Sequence, residues 1–250
     1  MALQEELKTQ GDFLFRNRSY LPLIILGLGF AVFIHTEYYE IETPDHWFSE
    51  LFEFACLGIS LFGLFIRVVT VGFTPKNTSG RNTKSGQLAD ELNTTGIYSV
   101  VRHPLYLGNF FMWLGVAMLT ENTWFSIAFV LFYAFYYERI MYAEESFLRD
   151  KFGSVYMDWA INVPAFIPSF KNYTKPKYEF SIKKVLKKEK NGFCAVFVLF
   201  WGFELVGNLI ESESFKIEYD FWFYGAIIST IIYFVLKIMK KRKIFEESNR

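Results

Sequence analysis

The chain has 250 residues, 52% of them hydrophobic and 20% aromatic, and its 26 basic and 26 acidic side chains cancel. Without a basic excess there is no electrostatic footprint for nucleic acid, so none is expected as a partner. Apolar content this high beside that many charges has to be segregated into blocks, which makes the chain a membrane protein.

Apolar runs at 21–35, 52–71, 105–119, 124–142, 193–210 and 221–239 approach the ~20 residues that cross a bilayer as a helix. The predicted fold class is all-α: a polytopic membrane protein of about six transmembrane helices. The first and third runs are short and must borrow flanking residues. Orientation follows from Lys and Arg, which are retained on the cytoplasmic side. With both termini cytoplasmic, that side holds Lys8, Arg16, Arg18, Lys76, Arg81, Lys84, Arg102, the basic run 171–190 and the tail 240–243, whereas the outer loops hold only Lys216. Those outer loops are acidic (Glu37, Glu40, Glu42, Asp45, Glu211, Glu213, Glu218, Asp220). They are flanked by Tyr38, Tyr39, Trp47, Trp124, Tyr219 and Trp222, as an interfacial aromatic belt would be.

The first apolar run ends in Glu37 and Tyr38 without a small-residue cleavage site, which predicts an anchor rather than a cleaved signal. Cys56 and Cys194 fall inside predicted spans with no metal-ligand spacing, so they are expected as packing residues and no metal is expected. Arg67 stands at the inner end of the second span, either snorkelling to headgroups or contacting a substrate. A polar loop, 72–95, follows, and a short helical turn is expected over 87–93.

The stretch 96–108 reads Gly-Ile-Tyr-Ser-Val-Val-Arg-His-Pro-Leu-Tyr-Leu-Gly. Pro is favoured at the first helical position, so a helix is predicted to start at Pro104. Its N-terminal dipole, with Arg102 and His103 alongside, suits a carboxylate or phosphate. A capped transmembrane helix with interfacial basic residues fits the same letters. Only 120–123 separate the third and fourth runs, and the fourth helix returns to the cytoplasmic face with Glu138, Arg139, Glu144 and Glu145. Two adjacent carboxylates there suit the ammonium group of a zwitterion. Ordinary helix-end pairs such as Glu145 with Arg149 are the alternative.

Together these elements form a joint pattern: Gly96-x-Tyr98-x-x-x-Arg102-His103-Pro104-x-Tyr106-x-Gly108, a short hairpin, then Glu144-Glu145-x-x-Leu148-x-x-x-Phe152-Gly153-x-x-Tyr156 and Val163-Pro164 to Pro168. Over about 21–168 it resembles the isoprenylcysteine carboxyl methyltransferase and phospholipid methyltransferase superfamily. The resemblance implies an integral-membrane enzyme that binds S-adenosylmethionine in a cytoplasmic-facing cavity among helix ends. Carried over by position, it implies cofactor contacts at Leu92, Asn93, Tyr98, His103, Pro104, Leu105, Tyr106 and Glu145. Met141 stands where the isoprenylcysteine enzymes have a substrate-binding arginine. An anionic acceptor therefore needs another cation, from among Arg102, Arg139 and Arg67. Arg102 is the expected acceptor-positioning group, and Glu144 the base should the acceptor be an amine.

The loop around 77–84 and the lead-in 92–96 resemble bacterial relatives that methylate a lipid phosphate, such as the 1-phosphate of lipid A, in the inner membrane. That acceptor, entering from the inner leaflet, is favoured. A prenylcysteine carboxylate or phosphatidylethanolamine is the alternative, and a membrane reductase or a non-catalytic lipid-binding or transport protein would be of another class. Beyond the resemblance, the chain divides into a core over 1–170, a basic cytoplasmic linker over 171–192 and a C-terminal hairpin over 193–250. In that hairpin, Glu204 and Asn208 share a helix face.

Overall fold

The computed structural model describes residues 2–39, 46–75, 78, 81–83, 86–212 and 217–246. The charged loop positions Glu40, Glu42, Asp45, Lys76, Lys84, Glu213 and Lys216 used above for orientation lie outside them, as does Asn77. Among the described residues eight α-helices follow in order: α1 Leu3–Asn17, α2 Leu21–Tyr39, α3 His46–Phe73, α4 Pro104–Met118, α5 Thr123–Phe152, α6 Ser154–Ala160, α7 Ile182–Ser212 and α8 Phe221–Lys241. Two short antiparallel strands, β1 Arg81–Thr83 and β2 Gly86–Leu88, form a hairpin between α3 and α4. The helical turn expected over 87–93 is therefore absent. Its first residues pair with β1, and the ladder satisfies the backbone that a helix would otherwise have to.

Each predicted apolar run became a helix. Pro104 opens α4 at its first position. Asn122 caps α5 by accepting from the Phe125 N–H at 2.9 Å, and Asp220 caps α8 by accepting from Phe223 at 2.9 Å. Among the described residues four helices carry a window long and apolar enough to cross a bilayer: Pro22–Tyr39, Glu50–Phe73, Ile182–Ser212 and Phe221–Lys241. The other two expected spans fall short by that standard. The fifteen residues of α4 rise only about 22 Å, against a hydrocarbon core of ~30 Å. The thirty-residue α5 carries Glu138, Arg139, Glu144 and Glu145 in its second half.

Short as it is, α4 is the centre of the molecule. One side packs Val116 and Leu119 with Phe33, Cys56, Leu57, Val196, Phe200, Phe203 and Trp222 from α2, α3, α7 and α8. Its other side packs Tyr106 and Ala117 with Phe15, Phe129, Tyr133, Tyr136, Tyr137 and Ile140 from α1 and α5. Outward-facing Leu28 on α2, Phe65 on α3, Phe135 on α5 and Phe234 on α8 are exposed, as lipid-facing side chains would be. Cys56 is fully buried in the first cluster, the packing role expected of it.

The α3–α4 crossing is close. A Cβ at Gly63 would stand 2.4 Å from the Gly108 carbonyl oxygen, and one at Gly108 would stand 2.5 Å from Arg67 Cγ. Gly63→Val is expected to destabilise the fold by roughly 1–3 kcal/mol through overpacking. Thermal unfolding in detergent measures this, and an unchanged midpoint would refute the close crossing.

Two features lie outside the sequence reading. The N-terminal residues ahead of the first apolar run form amphipathic α1, which buries Gly11 and Phe15 against α5. The segment expected as a linker starts α7 at Ile182, and the residues before it strap the loop that precedes α4. The Gly96 N–H donates to Thr174 O at 2.9 Å, and the Lys177 N–H to Thr95 Oγ1 at 3.1 Å. Tyr178 Oη donates to Glu91 at 2.5 Å. Gly96 takes a positive φ of 63° beneath Pro176, a conformation that favours glycine.

Candidate active site

The end of α3, the start of α4, the end of α5 and the start of α7 meet at one level, where the shortness of α4 leaves room. A cavity of about 370 Å³ opens there, within the range of small-molecule sites. Its lining includes Leu92, Asn93, Tyr98, Arg102, His103, Pro104, Leu105, Tyr106, Glu144 and Arg67. Ten of the twelve residues singled out from sequence thus share one wall. Arg139 is not among them. Packed at the α1–α5 contact, it donates to Gln10 Oε1 at 2.9 Å and to Phe135 O at 2.9 Å, so it is withdrawn as a substrate cation.

Glu145 also stands behind the wall rather than on it. Its carboxylate accepts from Arg102 Nε at 2.8 Å and Nη2 at 3.3 Å, and faces His103 Nε2 at 2.9 Å. Arg102 Nη1 donates to the carbonyls of Ala160 at 2.8 Å and Val163 at 2.6 Å. Backbone bonds from Arg102 N to Pro164 O and from His103 N to Ala165 O, with Trp159 Nε1 to Tyr98 O, tie the same two segments. The Arg-His-Pro stretch and the Glu-Glu to Val-Pro stretch are thus two halves of one clamp. Arg102, expected to position an acceptor, spends four of its five N–H donors inside that clamp.

Glu144 is the carboxylate that reaches the cavity. Its Oε2 stands 3.6 Å from His103 Nδ1, so the imidazole is held between the two glutamates. Burial alone would lower the His103 pKa, but its two carboxylate neighbours outweigh it and raise it. Burial would push both glutamates up. The hydrogen bond and charge of His103 bring Glu144 below the usual range, and His103 with Arg102 brings Glu145 to about 2. The helix N-terminus offers less than expected, because Pro104 has no N–H and the Tyr106 and Leu107 amides both bond His103 O. A carboxylate beside the His103 imidazole, rather than an open anion hole, is what the wall presents.

The signs fix a pH profile. The glutamates contribute stability above the ordinary value of 4.5, and this is lost as pH falls toward about 2. His103 contributes below its ordinary 6.5 and loses that contribution as pH rises through its raised value. Thermal stability is expected to plateau between 4.5 and 6.5 and to decline on both sides. In His103→Gln the alkaline decline should vanish; its persistence would assign that limb elsewhere.

Sequence reasoning missed Arg18, Glu91, Asn109, Trp113, Tyr137 and Glu189, which also line the cavity. Asn109 carried a signal, as a lone polar side chain in the apolar α4 run. Glu189, set among lysines, carried none. Arg67 does not snorkel: it forms a fork with buried Glu189, Nε at 2.7 Å and Nη2 at 2.9 Å, and Nη1 donates to Asn109 at 2.6 Å. Among the described residues no group of three or more His, Cys, Asp and Glu could hold a metal ion.

A family model described as phospholipid methyltransferase matches residues 54–155, the stretch that supplies both halves of the clamp as far as Val155. The chain is 37% identical over 84 residues to the nickel-cobalt-cadmium resistance protein NccN of Alcaligenes xylosoxydans xylosoxydans, covering 34% of this chain and 39% of that protein. It is 40% identical over 80 residues to protein-S-isoprenylcysteine O-methyltransferase B of Arabidopsis thaliana, covering 31% and 40%. Against a probable protein-S-isoprenylcysteine O-methyltransferase of Oryza sativa subsp. indica the match widens to 148 residues at 30% identity, covering 58% of this chain and 75% of the rice protein. The chain belongs to the isoprenylcysteine carboxyl methyltransferase and phospholipid methyltransferase superfamily. It spans 39% and 40% of the first two relatives. No solved structure matches it. Within this superfamily member, the family match ends before α7 and α8, so Glu189 is a cavity residue supplied from outside it.

Proposed function

We propose that this protein is an integral-membrane methyltransferase that uses S-adenosylmethionine to methylate an anionic oxygen on a lipid-linked acceptor. The observation that carries the reading is the Glu144 carboxylate, steadied by His103, in an aromatic-lined cavity at the helix ends. When bound, the cofactor supplies an electrophilic methyl group on a sulfonium. The residues fit it. Tyr98, Tyr106 and Trp159 offer aromatic faces to a cation or an adenine ring. Glu144 offers a carboxylate to an ammonium group. Tyr156 Oη, buried near Glu145 and without a hydrogen-bond partner of good geometry among the described residues, is a polar atom left for a ligand.

An anionic oxygen needs no general base, so the chain's task is to hold it in line and keep water out. The relatives' names favour a prenylcysteine carboxylate, and the resemblance of the loop before α4 favours a lipid phosphate. Both present an anionic oxygen on a lipid anchor. An amine would have to lose a proton to Glu144, which already holds His103. The Lys and Arg distribution supports both termini and the cavity on the cytoplasmic side.

Calorimetry on detergent-purified protein with S-adenosylmethionine, its demethylated product and NADPH tests the class. Binding of the first two is the expected result, and binding of NADPH alone would overturn it in favour of a reductase. Labelled-methyl transfer to N-acetyl-S-farnesylcysteine against dodecyl phosphate then separates carboxylate from phosphate.

A further inference from the structure

We propose that Arg67 is the cation that receives the anionic head of the acceptor, and that Glu189 near the start of α7 is the residue that positions it; the inference rests on the methyltransferase reading above. Of the three arginines that the sequence offered for this role, Arg139 lies outside the cavity and Arg102 has four of its five N–H groups on Glu145, Ala160 and Val163. Arg67 lines the cavity. A guanidinium has five N–H donors. The fork to Glu189 and the bond to Asn109 use Nε, Nη2 and Nη1 once each, which leaves one N–H on each terminal nitrogen.

What the pair contributes is direction. The side-on fork fixes the guanidinium plane, and the stem is laid along α4 because Gly108 has no side chain to displace it. Glu189 is held on continuous α7, its side chain 5% exposed. Asn109, which braces the third nitrogen, is six residues beyond His103, about 9 Å further along α4 by the helical rise. An acceptor head at Arg67 thus lies deeper in the membrane than the Glu144 and His103 end, on the side from which a lipid arrives. The Arg67–Glu189 pair is itself neutral, so selection here is by the geometry of the two remaining donors, with Arg18 and Lys188 also on the cavity wall.

The test uses full-length protein in detergent and two probes, dodecyl phosphate and N-acetyl-S-farnesylcysteine, with affinity read from tryptophan fluorescence, since Trp113 and Trp159 line the cavity. Wild type is expected to bind at least one probe; Arg67→Lys and Glu189→Gln should each weaken that probe about tenfold and leave S-adenosylmethionine affinity unchanged. Glu189→Gln costs stability as well as position, so a second variant separates them. Adding Asn109→Asp to Glu189→Gln returns a carboxylate to Arg67 from the other side and is expected to restore thermal stability without restoring probe affinity. The inference is overturned by full probe affinity in Glu189→Gln, by affinity that returns together with stability in the double variant, or by a wild type that binds the cofactor and neither probe. A wild type that does not bind S-adenosylmethionine would instead sink the methyltransferase reading itself.

Discussion

Glu145→Ala is expected to destabilise the folded protein by roughly 3–5 kcal/mol, the range for removing one partner of a buried ion pair. The loss is large because one carboxylate serves two cations. Arg102 and His103 would be left facing each other in a site where the arginine is 17% exposed and the histidine 5%. Arg102 also holds the carbonyls of Ala160 and Val163, so its release would loosen α6 and the turn that packs on Tyr98. Glu145→Gln should lose less, because the amide oxygen can still accept from Arg102. Thermal unfolding of both variants in detergent measures the effect. Loss of S-adenosylmethionine binding in Glu145→Ala at an unchanged melting temperature would restore Glu145 as the direct cofactor contact that the family resemblance implies.

Glu144→Gln is expected to do the opposite: leave the fold in place and weaken S-adenosylmethionine binding by about ten- to a hundredfold. A hydrogen bond to a charged group contributes roughly 1.5–3 kcal/mol, which converts to that range of affinity. Glu144 reaches the cavity while Glu145 continues to hold His103, so the clamp survives the substitution. Isothermal calorimetry gives the number. Affinity within a factor of about two of wild type would remove Glu144 from the cofactor's partners.

The two glutamates mark the boundary of what the sequence could tell. Their adjacency to each other and their pairing with the Arg-His-Pro stretch were legible, and so were the helices, since each apolar run and Pro104 encode a local preference. Which glutamate faces the cavity was not legible, because Glu144 and Glu145 differ by one step around α5 and only the approach of α4 decides between them. Arg102 read as an available cation for a similar reason: the carbonyls that consume its donors lie 58 and 61 residues away. The 87–93 segment read as a helical turn because its residues favour either outcome locally, and pairing with β1 settled it. Glu189 sat in a lysine-rich run that topology alone accounts for, and its partner is 122 residues distant.

The brevity of α4 bears on how a fatty substrate and a water-soluble donor meet. A full-length helix would fill the membrane down to the headgroup plane, and a lipid would have to be hauled out into water to be modified, at about 0.8 kcal/mol for each methylene exposed. With α4 about 8 Å shorter than the ~30 Å hydrocarbon span, the proposed orientation raises the polar floor of the protein into the bilayer instead. Under the proposed function, the donor climbs to the depth of the acceptor's head, and the acyl or prenyl tail never has to leave the oil.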